Sequence, residues 1–166
     1  MRFTTSLACG IVSGLVMTAA SAQTPTSPET RAEMIRLIDS LEKKPFDPSA
    51  SEWAGKAMTW LQDAPDVSVT LCSALYVDYD DLGKDGGEVL TTQLPLAEAR
   101  FILENPAKAD DEHAVHVAGV EGMLRTYAAM KAAKPDLKIR PMETLAKIQA
   151  DKKVDAFVKD AMEKCH

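Results

Sequence analysis

The stretch from Glu112 to Lys134, EHAVHVAGVEGMLRTYAAMKAAK, is apolar around most of its circumference when wound as a helix. Val117, Val120, Met123, Leu124, Tyr127 and Met130 recur at helical spacing and form one broad stripe. Val115, Ala118, Gly119, Gly122 and Ala129 widen it with small or aliphatic side chains. Only Glu121, Arg125, Lys131 and Lys134 mark a wet edge, with Glu121 and Arg125 at the favourable i,i+4 spacing. Such a helix needs neighbours on most sides, so it belongs in the middle of a bundle. Gly119 and Gly122 each weaken the helix by roughly 1 kcal/mol against alanine, which close approach of a neighbouring helix would offset. Gly119, between Val115 and Met123 on the crowded side, is the expected contact point, against the helix containing Phe101 and Leu103. Gly122 lies one position from Glu121 at the wet edge.

The rest of the chain supplies the neighbours. Ser27-Pro28 reads as an N-cap followed by a first helical residue, opening a helix to about Lys44. Met34, Ile35, Leu37, Ile38 and Leu41 face inward there, and Glu29, Arg31, Glu33, Arg36, Glu42, Lys43 and Lys44 are expected outward. Pro45 and Pro48 stop it, and Ser49 or Ser51 caps a second helix to about Ala64, with Trp53, Ala57, Met58, Trp60 and Leu61 on its buried side. Val67, Val69 and Leu71 alternate with polar residues, but no partner strand is apparent. An extended connection or a short irregular helix around Cys72 is therefore expected.

The helical period returns from Glu88 to Asn105, where Pro95 either kinks the helix or marks the start of its strong part. Asp110 or Asp111 caps the central helix, which should form an antiparallel hairpin with the one before it. Pro141 opens a helix to about Ala150, and Asp151 is the expected cap of the last, whose Val154, Phe157, Val158, Ala161 and Met162 turn inward. No unit repeats at a fixed period, which sets aside a helical-repeat array. The expected fold is all-α: a single-domain bundle of five or six helices over residues 29–166, after a flexible leader at 23–28.

Residues 1–22 read as a cleaved signal peptide. Arg2 supplies a positive start, Leu7 to Met17 an apolar run too short to span a bilayer, and Ala20-Ser21-Ala22 a cleavage pattern. The mature chain, starting at Gln23, is thus expected to be exported, periplasmic or secreted, with no integral membrane segment. Export removes Cys9 and leaves Cys72 and Cys165, most simply one disulfide in an oxidising compartment. It also removes Arg2 and no acid, so the net charge of −6 becomes −7. That acidity disfavours nucleic acid and anionic lipid as partners.

Motifs for chemistry are sparse. The sequence has no GxSxG, HExxH, phosphate loop or dinucleotide fingerprint, so a non-enzyme is favoured. Glu112, His113 and His116 form the one cluster with ligand chemistry for a divalent transition metal, at the start of the central helix. Acids there equally serve the cap and the helix dipole. The acidic loop from Asp78 to Glu88 fails the EF-hand register, with Leu82 and Val89 at two ligand positions. Trp53 and Trp60 are candidates for an aromatic ligand cradle or, more simply, for core. Together these features favour an exported binding protein that engages a protein partner or a small apolar ligand in the cell envelope. The alternative is a metal-binding protein or metal-dependent enzyme centred on Glu112, His113 and His116.

Overall fold

The computed structural model describes residues 25–82 and 87–165. The signal peptide and the start of the leader lie outside the described residues. Among the described residues there are seven α-helices and no strand. They are α1 (Pro28–Lys43), α2 (Ala50–Asp63), α3 (Tyr79–Leu82), α4 (Glu88–Glu104), α5 (Glu112–Ala133), α6 (Arg140–Ala150) and α7 (Val154–Met162). The expected five or six helices become seven because Tyr79–Leu82 coils within the acidic loop. There Asp78 caps the single turn: its Oδ1 accepts from the Asp81 N–H at 3.0 Å, and its carbonyl from the Leu82 N–H at 3.0 Å.

The helix ends follow the local chemistry. Ser27 Oγ accepts from the Thr30 N–H at 3.2 Å, with Pro28 opening α1. Asp111 Oδ1 accepts from the Ala114 N–H at 3.1 Å and starts α5. The last helix differs from expectation, because Asp151 ends α6 and Lys153 takes the N-cap position of α7. Between them Lys152 adopts a φ of 58°, the left-handed conformation that closes a helix when the next N–H reaches back. Here the Lys153 N–H reaches the Ile148 carbonyl at 2.9 Å.

The central helix is central in fact: α5 packs most extensively on α4 and also touches α1, α6, α7 and the 3-10 turn Ser73–Tyr76. Two apolar clusters flank the α4–α5 pair, and both helices feed both clusters. One joins Met34, Ile38, Leu41 and Ala57 to Leu96, Ile102 and Val115. The other joins Leu75, Leu82, Leu90 and Leu94 to Met123, Met130, Met142, Leu145 and Val158. Gly119 and Gly122 both meet α4, the helix that contains Phe101 and Leu103, at Glu98 and Ala97 respectively.

Pro95 sits inside α4 without ending it. The Thr91 carbonyl, which a proline four residues on leaves without its usual donor, accepts from the Tyr76 hydroxyl at 3.0 Å. The chain from Ala64 to Cys72 is neither helix nor strand, bends at Pro65 and Asp66, and leads into the 3-10 turn next to Cys72. Cys72 and Cys165 stand at disulfide distance, sulfurs 2.06 Å and Cα atoms 5.6 Å apart, which fastens the end of α7 to the start of that turn.

Candidate functional site

The segment around Cys72, from Leu71 to Tyr79, carries three of the four exposed large apolar side chains among the described residues. Leu71 is 74% exposed, Tyr79 53% and Val77 41%. Backbone geometry sets them there. Val77 has φ 66° and ψ −60°, and the Asp78 N–H donates to the Tyr76 carbonyl at 2.8 Å, which makes a γ-turn. A β-branched residue in this region is strained and persists only where its surroundings hold it. The holding contacts are visible on both sides. Tyr76 is buried and bonded to Thr91, and Arg140 clamps Asp81 of α3 at 2.7 Å.

The tight turn places Tyr79 edge-on to Tyr76, with ring centroids 5.1 Å apart and planes at 78°. Together with Met58 of α2 and Pro95 of α4, Leu71 and the two tyrosines line an open groove of about 420 Å³. Burial, followed by the charges of Glu98 and Tyr79, pushes the Tyr76 hydroxyl well above its ordinary value, so it stays a donor. Asp78 and Asp80 are exposed beside this face.

A second concavity, about 640 Å³, opens between the start of α1 and the end of α2. Trp60, Met34, Ala64 and Pro65 give it apolar walls, with Lys56 and Glu33 at the side. Lys56 and Glu33 are themselves paired at 2.5 Å. The leader is tied over one end by Asp66, which accepts from both the Thr26 N–H and the Thr26 hydroxyl and pairs with Arg31. Burial works against the Asp66 carboxylate, but these bonds and Arg31 together hold it below the usual range. Of the two tryptophans Trp60 lines this groove, while both pack partly buried against the α1–α2 cluster.

The histidine cluster is split between two partners. His113 Nε2 lies 2.7 Å from Asp155 Oδ1 of α7, at an open concavity that also includes Lys159 and Met162. His116 turns inward, with Nδ1 2.7 Å from Glu98 Oε1 and Nε2 3.9 Å from Glu112 Oε1. Among the described residues no group of three or more His, Cys, Asp or Glu side chains is arranged to hold a metal ion. Nor is any helix there long and apolar enough to cross a membrane.

Three buried acidic or amide side chains escaped the sequence reading: Glu42, Gln93 and Glu98. Glu42 accepts a bidentate pair from Arg125 at 2.9 and 3.0 Å and a third bond from Arg100 at 3.1 Å. Gln93 and Glu98 lie in the apolar run of α4, where neither spacing nor composition distinguishes them. The one sequence signal for Glu98 is Gly119, whose missing side chain leaves the space that Glu98 fills. A scan against family models, a search of curated proteins and a search of solved structures each return no match.

Proposed function

We propose that this chain is an exported binding protein of the cell envelope that docks a polypeptide partner on the face formed by Leu71, Val77 and Tyr79. The observation that carries the reading is that Leu71 and Tyr79 line one open groove, with Val77 exposed on the strained, well-braced turn between them. Singly exposed apolar residues are ordinary, but a contiguous set beside a groove marks an interaction surface. Tyr79 is an anchor of the kind that dominates such interfaces, rigid and amphipathic. Asp78 and Asp80 at the edge favour a partner segment that is both apolar and basic. No catalytic motif competes with this reading, and the acidic net charge points the same way.

A photo-crosslinker placed at Tyr79 in the native host tests it. The expected result is one discrete crosslinked polypeptide that disappears with Leu71→Asp. Absence of any adduct, or an adduct unaffected by Leu71→Asp, removes the proposal.

The groove beside Trp60 supports a second reading, a small apolar ligand held between α1 and α2. Titration with an apolar fluorophore would then change indole emission in the parent and not in a Trp60→Leu variant.

A further inference from the structure

Glu98 and His116 are ionisable side chains placed where neither meets water, at 0% and 2% exposure. They face each other across the α4–α5 contact at 2.7 Å. The second carboxylate oxygen, Oε2 of Glu98, has no hydrogen-bond partner among the described residues. Gly119 makes the arrangement possible, since a Cβ there would fall 2.7 Å from Glu98 Cγ.

The neighbouring charges do not neutralise this carboxyl. From α5, Glu112 is a second acid, 3.9 Å from His116 Nε2. From the 3-10 turn comes the Tyr76 phenol, which the charge of Glu98 helps keep protonated and whose hydroxyl is given to Thr91, so it brings no positive charge. From α1 comes Glu42, whose charge is taken up by Arg100 and Arg125. Lys56 of α2 is spent on Glu33, Asp81 of α3 on Arg140, and Asp155 of α7 on His113.

A bare carboxylate beside a neutral imidazole would therefore bury a net negative charge, with one oxygen unsatisfied. One added proton makes the pair neutral in either arrangement: Glu98 Oε1–H donates to Nδ1, or a protonated His116 donates to the carboxylate. A second proton would bury a cation. We propose that the Glu98–His116 pair is a built-in proton site, which takes up a single proton as the bundle folds and whose emptying as pH rises loosens the α4–α5 contact.

Burial, with a contribution from Glu112, raises the Glu98 carboxyl above its ordinary value, against the opposing pull of His116. The sign follows from linkage. A carboxyl raised in the folded state binds a proton that the unfolded chain lacks. Its stabilising share is complete below the ordinary carboxylate value and is lost as pH rises through the folded one.

The experiment is calorimetric unfolding of the full mature chain in buffers of different ionisation enthalpy, at about pH 8, where an ordinary glutamate and an ordinary imidazole are both unprotonated when unfolded. Unfolding of the parent should release one more proton than unfolding of Glu98→Gln. Equivalently, its folding constant should fall up to about tenfold more per pH unit than that of the variant. Equal proton release and parallel pH profiles would overturn the proposal. Should Glu98→Gln fail to fold, carbon-13 and nitrogen-15 spectra of the parent decide alone. A proton on either the Glu98 carboxyl or the His116 ring at that pH supports the site, and two unprotonated groups in a fully packed bundle refute it.

Discussion

The Tyr76 hydroxyl takes the place of the backbone N–H that Pro95 lacks, donating at 3.0 Å to the Thr91 carbonyl inside α4. A proline in a helix interior ordinarily costs about 3 kcal/mol or more, part of it the orphaned carbonyl. The arrangement links the 3-10 turn, and so the proposed docking face, to the most heavily packed helix pair. Tyr76→Phe should destabilise by about 0.5–1.5 kcal/mol, the usual net worth of one hydrogen bond, because the Thr91 acceptor is partly buried. In a Pro95→Ala background the restored N–H can serve Thr91, so the same substitution should cost less. Denaturant melts of the four proteins measure the coupling, and an unchanged cost in both backgrounds would contradict the relay.

Gly122 is the tighter of the two glycines on α5. An added methyl there would land on the Cβ of Ala97, which is fixed to the α4 backbone and cannot swing aside. At Gly119 it would meet Glu98, a longer side chain held by its bond to His116. Both alanine variants should be destabilised, Gly122→Ala at or beyond the upper end of the about 1–3 kcal/mol typical of overfilled contacts. Gly119→Ala should also disturb the proton site, lowering proton release on unfolding along with stability. Urea melts check the first expectation, and a gain in stability for both variants would mean that α4 can move away from α5 freely.

The bundle was legible in the sequence because most of its periodic segments are long and three of them carry a start signal. Ser27-Pro28, Asp111 and Pro141 each mark a helix start, and Cys72 and Cys165 stand at disulfide distance as expected. What periodicity could not reveal was which charged residues turn inward. Glu42 shares the last turn of α1 with Lys43 and was expected outside. It is buried because Arg100 and Arg125, distant in sequence, converge on it. His116 was read beside His113, since three residues apart they share a helical turn. Their separation arises from α4 on one side and α7 on the other, which no local pattern encodes. The exposed apolar turn was missed for a similar reason: Val77 carries no turn signal, and its conformation is held by Tyr76 and the clamp on Asp81.

The Cys72–Cys165 link should be a closed disulfide in the native protein, with no thiol titrating before denaturation. It spans a sequence separation of 93 residues. Loop entropy assigns such a closure about 4–5 kcal/mol, and measured bridges more often give about 2–4 kcal/mol. Cys72 is buried and Cys165 exposed, so reductant enters from the C-terminal side. Reduction should lower the melting temperature and free α7 first, because its end loses the covalent tie to the 3-10 turn. Hydrogen exchange with and without reductant would show it as early loss of protection at Val158 and Ala161. Unchanged protection across α7 would mean that its apolar face alone holds it in place.

Val77 offers a way to separate stability from binding. Glycine adopts a φ of 66° without the steric penalty that a β-branched residue meets. Relief of such strain is worth about 1–3 kcal/mol, and the added freedom of glycine in the unfolded chain takes back up to about 1 kcal/mol. Val77 is 41% exposed, so its side chain adds little through burial. Val77→Gly should therefore be neutral to more stable than the parent in thermal melts. If the strained turn exists to present an apolar surface, the same substitution should weaken capture of the polypeptide crosslinked at Tyr79. Stability and binding would then move in opposite directions, the pattern expected where strain is retained for recognition. A variant that melts lower and captures the partner undiminished would show that the turn serves the fold and not the face.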